Sequence, residues 1–187
     1  MLALQGAFAA HRASLERLGV EVVEVRRPEH LDGLDAVVLP GGESTTMARL
    51  LVTSGLRAPL GDLLTAGTPV LGTCAGTILL ASTILDGRPD QWGFGCLDAV
   101  VRRNGYGRQV DSFETDLDVA GMEGGPFHAV FIRAPIIVEV GDDVEVLAAV
   151  DGRPVVARQG AVTATTFHPE LTGDDRLHRL FLQAVTG

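Results

Sequence analysis

Lysine is absent from this chain: besides histidine, its basic residues are 15 arginines. With so much Ala, Gly and Val, this fits a GC-rich coding bias rather than a function. Acidic residues number 24, for a formal net charge of −9. Such a chain is a poor partner for nucleic acid, because phosphate binding draws on clustered Lys and Arg. Cysteine is scarce too. Cys74 and Cys96 are too few for a disulfide framework, and no C-x-x-C or similar metal spacing occurs, so no structural metal is expected. The scarcity points to a reducing, cytoplasmic setting. No apolar run reaches the roughly 20 residues that span a bilayer. Residues 1–12 lack a basic stretch ahead of an apolar one, so no signal peptide is expected.

What is present reads as a globular domain: 46% apolar and 21% charged residues over 187 positions, enough to bury a full core without staples. The first half alternates strand and helix patterns. Met1–Gln5 is a short apolar start. Ala7–Leu18 carries a weak helical stripe (Phe8, Leu15, Leu18) that Gly19 ends. Val20–Val25 alternates Val with Glu in part, as a strand would, and Asp35–Leu39 is a β-branched run stopped by Pro40-Gly41-Gly42. Ser44 or Thr45 is expected to cap a helix to about Thr53, and Leu56–Ala66 to form another. Pro69–Leu71 is a strand, and Thr77–Ala81 a helical run. The second half is richer in strands: Leu97–Val101, Ala129–Ile132, Val144–Val150, Pro154–Arg158 and Ala161–Thr166, with Asp151-Gly152 as a hairpin turn. Arg176–Val185 closes the chain as a helix. The βαβα order predicts one α/β domain: a three-layer, open, mixed but mostly parallel sheet flanked by helices, doubly wound as in flavodoxin-like folds.

Three segments have the residue types that chemistry needs. Gly72-Thr73-Cys74-Ala75-Gly76 lies between a strand and a helix, and small neighbours on both sides let a strained turn lift a nucleophile above a sheet. A buried core thiol is the competing interpretation. A nucleophilic thiol needs a base, and the base needs an orienting group. His168, in Phe167-His168-Pro169-Glu170, follows a strand, and Glu170 is near enough to steer its ring. The third segment, Pro40–Thr46, also follows a strand and opens a helix, where free backbone N–H groups can bind an anion or a developing oxyanion. It is not a P-loop, because no Gly-Lys-Ser/Thr follows.

Cys74 with His168-Pro169-Glu170 resembles the class I (triad) glutamine amidotransferases. Leu4-Gln5-Gly6, Pro40–Met47, Arg103–Glu114 and Phe131–Pro135 narrow the resemblance to the glutaminase subunits of pyridoxal 5′-phosphate synthase, the PdxT family, over essentially the whole chain. The resemblance implies that Cys74 is the nucleophile, His168 the general base and acid, and Glu170 its orienter. Backbone N–H groups of Gly42 and Ala75 would form the oxyanion hole. Gly42, Glu43, Ser44, Arg103, Ile132 and Arg133 would bind glutamine, with a structural ion pair as the competing role for either arginine. No metal or organic cofactor is implied. The product would be glutamate and ammonia, the ammonia passing to a synthase subunit of the PdxS family in a multi-subunit complex that makes vitamin B6. A glutaminase serving another synthase, such as the histidine-pathway enzyme, and a non-catalytic glutamine-binding scaffold are the alternatives. The chain departs from the family twice. Only three residues precede Leu4, so the expectation is either a short first strand or a start downstream of the true one. Asn104–Gly107 carries a glycine where the family often has a larger residue, a difference expected to loosen the loop bearing Arg103.

Overall fold

Three all-buried β-strands form the centre of the protein: β1 (Val37–Leu39), β2 (Val70–Thr73) and β10 (Val162–Thr165). Strands covered on both faces belong in a parallel sheet, and these run parallel in the order β1-β2-β10. The computed structural model describes residues 1–103 and 112–186.

Alternate residues of the strands face opposite layers. Val37, Leu39, Val70, Val162 and Ala164 pack with Met47 and Leu51 of α2 (Ser44–Thr53) and Leu60 and Leu64 of α3 (Arg57–Thr65). Val38 and Leu71 face Leu15 of α1 (Phe8–Arg17) and Leu177, Leu180 and Phe181 of α5 (Arg176–Thr186). This three-layer arrangement of helix, sheet and helix is the architecture expected from the sequence.

Beyond β10 the sheet continues antiparallel through β9 (Arg153–Gln159) and β8 (Glu145–Val150). The turn joining β8 to β9 is Asp151-Gly152, both at positive φ (49° and 74°), as a two-residue hairpin requires. Two smaller sheets complete the fold. One has the order β3-β4-β7, from Ala81–Leu85, Leu97–Arg102 and Ile136–Val140. The other pairs β5 (Phe113–Leu117) with β6 (Phe127–Phe131), where Phe113 stacks on Phe131.

Several local expectations need correction. Met1–Gln5 and Val20–Val25 are not regular strands. They meet in an isolated parallel bridge, Leu2↔Val25, while the Leu2 N–H donates to the Val38 carbonyl. These segments extend the sheet past β1, but their hydrogen bonds are too few for a ladder. The apolar run into Ala81 is not one helix: α4 stops at Leu80 and β3 begins at Ala81. An apolar run buried on all sides has no periodicity to mark that switch. β5 and β7 lay outside the expected strands as well. β5 is half-exposed and rich in acids (Phe-Glu-Thr-Asp-Leu).

Candidate active site

β1, β2 and β10 end on one side of the sheet, and the segments that follow them carry the candidate chemistry. Ligands of open α/β sheets gather at these carboxyl ends.

Cys74 sits in the turn between β2 and α4 (Ala75–Leu80) at φ 49°, ψ −105°, a conformation that non-glycine residues adopt only under constraint. The constraint is visible. The Cys74 N–H donates to the Thr165 carbonyl (2.9 Å), and the Thr77 hydroxyl lies 3.0 Å from the Gly72 carbonyl and 2.6 Å from that of Thr165. Both glycines of Gly-Thr-Cys-Ala-Gly sit in tight space, Gly76 against backbone and Gly72 against a side chain. A Cβ on Gly76 would stand 2.0 Å from the Leu39 carbonyl oxygen, and one on Gly72 2.4 Å from Leu80 Cδ1. Cys74 as a residue is 6% exposed, so it is both buried and strained in its backbone, where a plain core cysteine would only be buried.

His168 follows β10 and Phe167, and its N–H is anchored on the Val130 carbonyl of β6 (2.9 Å). Its Nδ1 lies 2.7 Å from Glu170 Oε1, and its imidazolium is favoured by the Cys74 side chain. Burial disfavours the imidazolium, but the hydrogen bonds to Cys74 and Glu170 outweigh it and raise the pKa to about 10. Glu170 is the middle residue of a one-turn 3-10 helix, Pro169–Leu171. Burial disfavours its charge too, yet His168 and His11 hold its carboxyl below the usual range. The three residues singled out from sequence therefore converge into one hydrogen-bonded row.

Pro40–Glu43 packs over that row. A Cβ on Gly41 would stand 2.3 Å from His168 Cε1 and 3.3 Å from Cys74 Cβ. The Gly41 carbonyl accepts from the Ala7 N–H (3.0 Å), and the Glu43 N–H donates to Gln5 Oε1 (2.9 Å). These contacts of Gly41 and Gln5 leave no signal in the sequence beyond their place in the Leu-Gln-Gly and Pro-Gly-Gly stretches. The expected cap of α2 is corrected here. Glu43, not Ser44 or Thr45, caps the helix, its carboxylate accepting from the Thr45 N–H, the Thr46 N–H and the Thr46 hydroxyl. Ser44 already lies within the helix, buried, and an anion suits a helix N-terminus. Burial works against the Glu43 charge, but the Thr46 and Thr45 donors bring its pKa down to about 2.

Arg103 Nη2 donates to Glu43 Oε1 (2.9 Å), while its Nε is buried without a hydrogen-bond partner among the described residues. Arg133 is held at φ 46° and makes no ion pair among the described residues; Ile132 before it is 37% exposed. The ion-pair alternative thus describes part of Arg103's surroundings and none of Arg133's. Residues 104–111, most of the Arg103–Glu114 stretch, including Asn104–Gly107, lie outside the described residues. Among the described residues no group of three or more His, Cys, Asp or Glu side chains is placed to hold a metal ion.

The sequence pattern of the SNO glutamine amidotransferase family matches residues 1–187. The chain belongs to that family. It is 59% identical over 185 residues to "pyridoxal 5′-phosphate synthase subunit PdxT" of Frankia alni, covering 99% of this chain and 93% of the relative. It is 58% identical to the protein of the same name from Mycobacteroides abscessus, over 99% of this chain and 95% of the relative. A crystal structure described as a glutamine amidotransferase superposes with a TM-score of 0.92 at 51% identity, covering 100% of this chain and 97% of that one. A putative GMP synthase subunit from Thermoplasma acidophilum, 20% identical, matches with a TM-score of 0.70 over 99% of this chain and 92% of that one, and shares the fold. For this amidotransferase the resemblance read from the Cys74 and His168 motifs therefore holds over the full length.

The site's titrations predict how stability depends on pH. His168 has its pKa raised to about 10, so its contribution is fully present below its ordinary 6.5 and is lost as pH rises towards 10. His11 and His178 go the other way: burial lowers them to about 3 and about 4. Each stays neutral in the fold while its unfolded counterpart charges below pH 6.5. Each therefore removes about 1.4 kcal/mol of stability per pH unit from there down to its folded pKa. Urea unfolding between pH 4 and 9 is expected to show greatest stability near neutrality. A flat profile would contradict these assignments.

Proposed function

We propose that the chain is a glutaminase, one domain over residues 1–187, that hydrolyses L-glutamine to L-glutamate and ammonia through Cys74, His168 and Glu170. The observation that carries this is the convergence of a strained thiol, an imidazole and a buried carboxylate at the ends of β2 and β10 in a member of an amidotransferase family.

Cys74, its proton held by His168, attacks the side-chain amide carbon of glutamine. The carbon–sulfur bond forms as the carbonyl electrons move onto oxygen. N–H groups of Ala75 and Gly42 serve that oxyanion, each such donor typically being worth about 3 kcal/mol of barrier. His168 then protonates the departing nitrogen, the carbon–nitrogen bond breaks, and ammonia leaves a γ-glutamyl thioester. A water that gives its proton to His168 attacks the thioester, and glutamate leaves as the thiol is restored. Glu170 keeps the His168 ring oriented throughout. Arg103, with its buried Nε unpaired, and Arg133 are suited to the α-carboxylate of the substrate, with Glu43, Ser44 and Ile132 completing the pocket.

The relatives' names, each a pyridoxal 5′-phosphate synthase subunit, support a place in that synthesis. We propose further that the ammonia passes to a PdxS-type synthase subunit in a cytoplasmic complex. No described helix is long and apolar enough to cross a membrane. The Gly41 carbonyl is bound by the Ala7 N–H, which fixes the Gly41–Gly42 peptide. Docking of the synthase that breaks this bond lets the peptide turn, at low steric cost for two glycines. Ammonia release is accordingly expected to rise severalfold or more when the synthase subunit is added. Equal turnover with and without it would remove the partner-dependent part of this reading.

A further inference from the structure

Glu170 uses one oxygen, Oε1, on His168. Its other oxygen, Oε2, is fully buried and receives no hydrogen bond of good geometry, yet His11 Nε2 lies 3.2 Å from it. His11 belongs to the buried face of α1, with Ser14 and Leu15. The same Nε2 is 3.0 Å from the hydroxyl of Thr73, the last residue of β2 and the neighbour of Cys74. On its far side, His11 Nδ1 is 2.8 Å from Nε2 of His178, on α5, and the two rings meet edge to face. His11 and His178 are each 0% exposed. Neither is used in the reaction proposed above.

Burial pushes both histidines towards the neutral form, while His168 and His11 hold the Glu170 carboxyl below its usual range and so favour its ionised form. The groups facing His11 are Glu170, His178, His168 and the N-terminal amino group; those facing His178 are Glu170, Asp175 and Arg17. A neutral imidazole has one N–H. A carboxylate oxygen 3.2 Å away repels a ring lone pair, so His11 carries its proton on Nε2, between Glu170 Oε2 and the Thr73 hydroxyl. Nδ1 is then an acceptor, and His178 Nε2–H donates to it. His178 Nδ1 is left unprotonated, and it is the ring nitrogen that is buried without a partner. An N–H buried there without an acceptor would be the costlier arrangement.

We propose that His11 is a positioning residue for the acid of the triad, and that His178 holds it in the tautomer this requires. This rests on the reading of Cys74, His168 and Glu170 as the triad. Glu170 is then flanked on both sides: His168 hydrogen-bonds Oε1, and the His11 Nε2–H, whose hydrogen bond goes to the Thr73 hydroxyl, stands 3.2 Å from Oε2 and favours its negative charge. The groups facing His168 are Cys74, Glu170 and, beyond Glu170, His11, so a less firmly placed Glu170 charge acts directly on the imidazolium. Helix α1 gains a second connection to the chemistry. Its N-cap residue, Ala7, holds the Gly41 carbonyl, and His11, one turn later, meets Glu170. A shift of α1 therefore reaches the Gly41–Gly42 turn and the triad acid together.

Ring nitrogen chemical shifts of the isolated chain at pH 7 test the proposal without glutamine or a partner. His11 and His178 are both expected to be neutral with the proton on Nε2. A charged ring, or a proton on Nδ1 of either, overturns it. In His11→Leu the titration of His168 is expected to move down by about one pH unit, and kcat with the synthase subunit to fall about tenfold with KM within about twofold, as when the partner that orients a catalytic group is lost. His11→Gln, which returns an N–H near the Nε2 position, should recover most of both. If His11→Leu loses thermal stability while the His168 titration and kcat stay at wild-type values, His11 is only a packing residue and the proposal fails. Should His11→Leu not fold, His178→Phe, which frees His11 to change tautomer, is expected to move His168 in the same direction; no movement overturns the proposal. If the wild-type complex releases no ammonia, the glutaminase reading fails, while the tautomers still decide the relay on their own.

Discussion

Cys74→Ala is expected to abolish glutamine hydrolysis, lowering kcat about 10⁴-fold or more in the presence of the synthase subunit, the scale on which removal of a covalent nucleophile acts. The fold should survive. Alanine fits the 6%-exposed site, and the turn at φ 49° is held by the Thr165 carbonyl and the Thr77 hydroxyl rather than by the thiol. Loss of a partly buried sulfur with no change in backbone shape costs about 1 kcal/mol. A second signature separates this from general damage. Cys74 is one of the groups that raise His168, so the alkaline part of the stability profile should flatten in the variant. Ammonia release by coupled assay and unfolding at pH 7 and 9 check both points. Hydrolysis at the wild-type rate would restore the scaffold reading.

Gly41→Ala is the second large effect, and its cause is space rather than backbone freedom. The new Cβ would stand 2.3 Å from His168 Cε1 and 2.9 Å from Nδ1. The ring cannot move aside freely, because Nδ1 is bonded to Glu170 at 2.7 Å and the His168 N–H to Val130. Either the ring leaves Cys74 or the Pro40–Glu43 turn lifts away. A displacement of about 1 Å between reacting groups costs on the order of 10²-fold in rate, and kcat should fall by that factor or more while KM changes little. Overpacking of this kind destabilises by about 1–3 kcal/mol. Steady-state kinetics with thermal unfolding decide it. A kcat within twofold of wild type would mean that the turn, not the ring, gives way, and that it does not contribute to the reaction.

Much of the site was legible because its chemistry is local. Gly72–Gly76 carries the thiol, the turn and both glycines the turn needs within five residues. His168-Pro169-Glu170 likewise holds the proposed base and orienter two positions apart, and Pro40–Thr46 sits between a strand and a helix. What was not legible depends on contacts between distant segments. Gln5 reaches the Glu43 N–H, Ala7 the Gly41 carbonyl, and Glu43 takes the cap from Ser44. His11 reads from sequence as one more helical residue beside Ser14 and Leu15, and His178 as one beside Leu177. Strands failed in the same way. Val20–Val25 has the alternation of a strand but pairs only through Val25, because alternation records burial and not ladder partners. β3 was hidden inside an apolar run whose helical half is buried throughout.

By itself, then, the sequence determined the βα order, the thiol turn, the imidazole and carboxylate that meet at it, and the family. These rest on short-range sterics and on residue types a few positions apart. Tertiary structure alone decided that Gly41 lies against the His168 ring, that Glu43 caps α2 while pairing with Arg103, and that two buried histidines from opposite ends of the chain stand behind Glu170. Such contacts follow from how the layers close on the sheet. A hydrogen bond between residues 11 and 178 leaves no periodic trace in either segment.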